Sequence, residues 1–182
     1  MNIGKRINAR KIMLSYIYQH CFFCNILNQE SVFTDILFID NVFLSQKDKF
    51  LQEKESLVQS IKLHINQKEK EENIKEFSDI FFNEWNDDDV DFDYAIKILL
   101  NFKKHEKDLI KNVDLYAQNF KYDQMDTIDQ SIFLLGYTEW KVLETQKEIL
   151  LNEMIELSKR YSDDGSPKLL NGIMHKIIAM SD

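Results

Sequence analysis

Apolar residues recur at spacings of three and four through Ile12, Met13, Tyr16, Ile17, Cys21 and Cys24. That is the period of one helix face, and it predicts a helix over residues 5–27. The next stretch, "NQESVFTDILFIDNVFLS" (28–45), is apolar with sparse acids and reads as short helices. Residues 46–84 read as charged helix with apolar Phe50, Leu51, Leu57, Val58, Ile61, Leu63 and Ile65. Within them "NQKEKEENIKEF" is either a solvated helical face or a break between two helices. Two more amphipathic helices are expected over 92–104 and 105–120, carrying Ile96, Leu99 and Leu100, then Leu109, Ile110, Val113 and Tyr116.

A polar link, "KYDQMDTID" (121–129), leads into "IDQSIFLLGYTEW" (128–140), which is almost wholly apolar. A helix apolar all round belongs in the centre of a fold. Gly136 in its interior costs about 1 kcal/mol against alanine, which a close helix–helix contact explains. The last two helices are predicted from residue 149 to 161, with Leu150, Met154, Leu157 and Tyr161 on one face, and from Ser166 onward through Leu169, Leu170, Ile173, Met174, Ile177 and Ile178. Lys168, Asn171, His175 and Lys176 mark the polar face of the last one.

The corner between those helices, "SDDGSPKLLNG" (162–172), holds the only proline and two of the four glycines of the 182 residues. Gly165 is expected at positive φ, closing one helix. Ser166 then reads as N-cap and Pro167 as first helical residue, where its missing N–H is no loss. So few turn residues argue against an all-β fold, which needs many tight turns, and for long helices. The length suits one domain with a core that needs no staples.

The formal net charge of −8 disfavours general binding to nucleic acid or anionic membrane. Any such contact requires a local basic patch. The first eleven residues supply one: Lys5, Arg6, Arg10 and Lys11, with no acid among them. Lys5, Arg6 and Arg10 lie at the helix end that repels cations, so they serve either an anionic partner or a solvated arm. "NEWNDDDVDFDY" (83–94) lacks the glycine and glutamate that a calcium loop requires. Its acids suit the N-terminus of the helix that follows. Cys21 and Cys24 form a lone CxxC inside an apolar helical run, beside His20. They read as small core residues, with a reactive or metal-binding pair as the other reading. No run reaches membrane-span length. The basic start and apolar stretch lack a signal-type cleavage site, so a cytoplasmic protein is expected.

The segment "LLNEMIELSKRYSDDGSPKLLNGIMHKI" resembles the C-terminal signature of the NusB transcription antitermination family. Asn152, Glu153, Glu156, Leu157, Lys159, Lys168, Asn171 and Gly172 fall on it in register. "NARKIMLSYIYQ" is similar to the family's N-terminal helix through Ala9, Arg10 and Tyr18. "FKYDQMDTIDQSIFLLGYTEW" is similar to its link and central helix through Asp123, Ile128, Asp129, Ile132 and Glu139. The resemblance covers residues 5–27 and 120–179. Gln124, Gln130 and Leu134 stand where the family carries basic residues, and Leu169 where it has an aromatic.

The resemblance implies an all-α bundle of about seven or eight helices in two packed subdomains. The chain is then one NusB-like domain, with residues 28–92 a divergent, enlarged acidic part. It implies no catalysis, cofactor or metal. It implies binding of boxA-like single-stranded RNA with ribosomal protein NusE, inside the RNA polymerase antitermination complex on rRNA operons, and for some members a homodimer. Carried over by position, Lys5, Arg6, Arg10, Tyr18 and Lys168 are the expected RNA contacts, and Asp129 the expected protein-partner contact. The N-terminus of the last helix is an expected phosphate site. The competing reading is a NusB-like adaptor that binds proteins and not RNA. The family domain also occurs fused to rRNA methyltransferases, but this chain has no glycine-rich cofactor loop.

Overall fold

The computed structural model describes residues 3–28, 47–117 and 121–180, with side chains from residue 54 onward in the second segment. All regular elements among them are helical. The α-helices are α1 (Ile3–Asn28), α2 (Lys47–Asn66), α3 (Glu71–Phe81), α4 (Phe92–Leu99), α5 (Phe102–Tyr116), α6 (Thr127–Leu143), α7 (Lys147–Tyr161) and α8 (Ser166–Ala179). Short 3-10 turns occupy Asp87–Asp89 and Tyr122–Gln124. This is the expected all-α class. The short helices expected after Asn28, and the side chains of Phe50 and Leu51, lie outside the described residues. No helix among the described residues is long and apolar enough to cross a membrane.

The chain divides into two compact units, residues 1–18 with 69–182 and residues 19–68. In the second unit the Phe23 and His64 rings meet edge to face at 5.3 Å. Val58 and Ile61 are buried there, whereas Leu57 and Leu63 point to solvent. Cys21 and Cys24 are not joined in a disulfide, and the Cys24 Sγ lies 3.6 Å from the His20 ring nitrogen.

The larger unit is built around α6. Every residue from Asp129 to Glu139 is buried, because α4, α5, α7 and α8 all pack on this helix. Gly136 is the close approach: a Cβ there would fall on the Met154 thioether of α7. The break between α4 and α5 comes at Leu100 and Asn101 rather than near residue 104. Phe102 is fully buried, and packing it starts α5 earlier than periodicity suggests. Tyr161, expected on the inner face of α7, is 42% exposed.

The polar link is pinned by Gln130, whose Nε2 donates to the carbonyls of Tyr122 and Met125 at 3.0 Å each. The Tyr122 hydroxyl returns a bond to the Gln130 carbonyl at 3.1 Å. Gln130 and Leu134 are both buried. The neutral residues at these two positions therefore serve the interior of the larger unit.

The corner between α7 and α8 differs from expectation. Gly165 is right-handed, with φ −80° and ψ −26°, and itself occupies the N-cap position. Ser166 is the first residue of α8, and its hydroxyl donates to Asp129 Oδ2 at 2.7 Å. The Ser162 hydroxyl donates to Asp129 Oδ1 at 2.6 Å. The turn is closed by one carboxylate gripping both of its ends, so no left-handed residue is required.

Candidate nucleic-acid interface

The basic start of α1 is held by the acidic stretch that follows α3. Asp91 caps α4 by accepting the Tyr94 N–H at 3.0 Å, as its position predicted. Its other oxygen accepts Arg6 Nε at 2.9 Å. Asp88 lies 3.8 Å from Lys5 Nζ, and Asn8 Nδ2 donates to the Asp89 carbonyl at 3.0 Å. The Asp91 N–H reaches back to the Lys5 carbonyl at 3.2 Å. These contacts supply the counter-charge that the helix dipole does not give cations at this end.

Arg10 is not a surface cation. It is 4% exposed. Its Nε and Nη2 donate to the two Glu139 oxygens at 3.0 and 2.7 Å, and Nη1 lies 3.0 Å from Glu153. Glu139 also accepts the Tyr94 hydroxyl at 2.7 Å and the Thr145 hydroxyl at 3.1 Å. Burial pushes the Glu139 carboxyl up, but the hydrogen bond and charge of Arg10, with Tyr94 and Thr145, bring it below the usual glutamate range. The expectation that Arg10 contacts RNA is therefore corrected: its guanidinium is committed to an internal network joining α1, α6 and α7. Arg6 is largely committed as well, stacked over the Tyr94 ring at 4.4 Å while it pairs with Asp91.

Asp129 is also interior, 4% exposed and occupied by Ser162 and Ser166. It is corrected from a partner contact to a closure for the α7–α8 corner. Its carboxylate, at the start of α8, is a negative charge beside the expected phosphate site there.

Lys5, Tyr18 and Lys168 keep access to solvent. Tyr18 is 40% exposed. Lys168 stands on the outer face of α8 with Asn171, Gly172, His175 and Lys176, all exposed. Gly172 has open space where a Cβ would stand, so its lack of a side chain serves no packing within the described residues.

Two depressions run between α1 and α7. One of about 540 Å³ is lined by Ile3, Arg6, Arg10, Ile149, Asn152 and Glu153, among others. The next, about 360 Å³, joins Ile7 and Lys11 to Leu157, Lys159 and Arg160, with Glu153 and Glu156 on its wall. Glu153 turns to Arg10, and Glu156 holds Lys159 at 2.7 Å. Lys11 and Arg160 are the cations of this second groove that those two acids do not hold. Position alone does not single out Lys11 and Arg160. The visible signal is "SKRY" at the end of an amphipathic helix, a pair of cations where the dipole favours them.

A family model described as NusB family matches residues 51–179. The match includes 51–119, outside the segments that carry the resemblance, and stops short of the N-terminal helix. The transcription antitermination protein NusB of Clostridium novyi is 31% identical over 112 residues, 58% of this chain and 84% of that protein. Its namesake in Clostridium botulinum is 33% identical over 91 residues, 50% of this chain and 64% of that protein. The one in Crocosphaera subtropica is 27% identical over 84 residues, 46% of this chain and 40% of that protein. The alignment thus spans most of the first relative and less than two thirds of the other two.

Proposed function

The chain belongs to the NusB family, and from that membership we propose that it is a cytoplasmic transcription antitermination factor that binds boxA-like single-stranded RNA together with ribosomal protein NusE. The RNA reading rests on one observation: among the surface cations of the larger unit, Lys11 and Arg160 line one α1–α7 groove and Lys168 stands on the outer face of α8. Phosphates bind through such cations, and affinity then falls as salt rises. Tyr18 on α1 offers an exposed ring for base stacking. Lys5 adds charge at the start of α1, loosely shared with Asp88. Arg10 and Asp129 act behind this surface by holding α1, α6, α7 and α8 together.

The acids Asp163 and Asp164, exposed beside Lys168, weaken attraction to RNA and favour a second reading, an adaptor that engages NusE alone. A titration of purified protein against labelled boxA-like RNA, with and without NusE and at two salt concentrations, separates the two. Salt-sensitive binding strengthened by NusE supports the first. Capture of NusE with no RNA binding under either condition supports the second.

A further inference from the structure

We propose that a ledge of aromatic and aliphatic side chains at the end of α3 docks a basic protein segment that carries apolar anchors. On α3 only Ile74 and Ser78 are buried. Phe81, one helical repeat beyond Ile74 and so expected on the core stripe, is 60% exposed, and Ile80 is 68% exposed. The rings form a continuous series. Phe81 lies 4.6 Å from Phe77, Phe77 lies 6.4 Å from Phe82, and Phe82 stacks on Trp85 at 5.0 Å and 21°. A run of exposed large apolar groups, rather than one alone, marks an interaction surface.

Charge selects the occupant. Residues 71–93 hold ten acids and one lysine. The lysine, Lys75, is bound to Asp87 at 2.8 Å. Glu76, Asp79 and Glu84 are exposed around the rings. Stacked aromatics by themselves also suit bases of single-stranded RNA, but such platforms need cations to follow the backbone. Here, among the described residues, a single cation, Lys11, lies at the rings, 5.5 Å from the Trp85 ring centre, and the acids of residues 71–93 outnumber it. A lysine- and arginine-rich polypeptide meets both features: aliphatic anchors cover Ile80 and Phe81, guanidinium groups stack on exposed rings, and the acids steer the approach. This surface meets the RNA contacts proposed above only at Lys11 and rests on none of them.

The test uses the full chain and a fluorescein-labelled peptide of repeating Lys-Leu-Arg-Lys units, with a Glu-for-basic peptide and labelled oligouridylate as the other probes. Anisotropy should report binding of the basic peptide alone, weaker at high salt, with a change in Trp85 emission that Trp85→Phe removes. Ile80→Ser/Phe81→Ser, both at exposed positions, should weaken binding by at least about tenfold with helical content unchanged. Glu76→Lys/Asp79→Lys should do the same through charge. Absence of peptide binding, binding that both variants leave within about twofold, or oligouridylate binding lost in Ile80→Ser/Phe81→Ser would each overturn the proposal.

Discussion

Arg10 lies against Glu139 with two parallel hydrogen bonds of 3.0 and 2.7 Å, both side chains buried. The two residues are 129 positions apart in the chain. Such a pair joins the first helix to the central one and gives the N-terminal basic stretch an architectural role. Removing one partner of a buried pair strands the other charge, which typically costs about 3–5 kcal/mol. Arg10→Ala is therefore expected to lower unfolding free energy by about that amount in urea titrations. A loss under about 1 kcal/mol would show that the pair is not the tie described.

Glu139 has a depressed carboxyl pKa, so its contribution to stability has a defined sign. The unfolded chain binds a proton at that carboxyl more readily than the folded chain does. Stability is then fully present above the ordinary glutamate value near 4.5 and is lost as pH falls through the lower folded value. Urea midpoints measured from pH 6 downward should drop steeply below about pH 4.5, and Glu139→Gln should flatten that drop while lowering stability at neutral pH.

Asp129 receives the hydroxyls of Ser162 and Ser166, and thereby fixes the turn into α8. Hydrogen bonds to a charged acceptor are worth about 1.5–3 kcal/mol each. Asp129→Ala should cost about 2–4 kcal/mol and speed amide exchange in the first turn of α8 before the rest of the helix. Uniform exchange along α8 would argue against this role.

Gly136 and Gly172, both inside helices, should respond in opposite directions. Gly136→Ala forces the Met154 side chain aside and should destabilise by about 1–3 kcal/mol. Gly172→Ala meets open space on an exposed helical face and should stabilise by about 1 kcal/mol. Thermal melts of the two variants beside the wild type give the comparison.

These residues also mark how far the amino-acid pattern reaches. The apolar run of α6 announces its central position, Asp91 its capping role and Gly136 its close approach, because each signal is local. Arg10, Asp129 and Gln130 are polar residues whose partners are set by the fold rather than by the neighbouring chain, so local charge and resemblance send Arg10 to RNA and Asp129 to a partner and give no role to Gln130. The corner at 162–166 misleads for the same reason. Glycine next to serine and proline suggests a left-handed turn, whereas Asp129, 33 positions before Ser162, closes it. Lys11 and Arg160 are in view as charges, but only packing of α1 against α7 places them in one groove.

The most direct test of the RNA surface compares boxA-like RNA binding by the wild type and by Lys11→Ala/Arg160→Ala/Lys168→Ala at several salt concentrations. All three positions lie outside the Arg10 and Asp129 networks, so the variant should fold normally. Binding should weaken and the salt slope become shallower by about 2–3 units in log–log form, since each cation removed leaves a phosphate un-neutralised. Unchanged affinity and slope in a folded variant would contradict it and move any RNA-binding surface elsewhere on the protein.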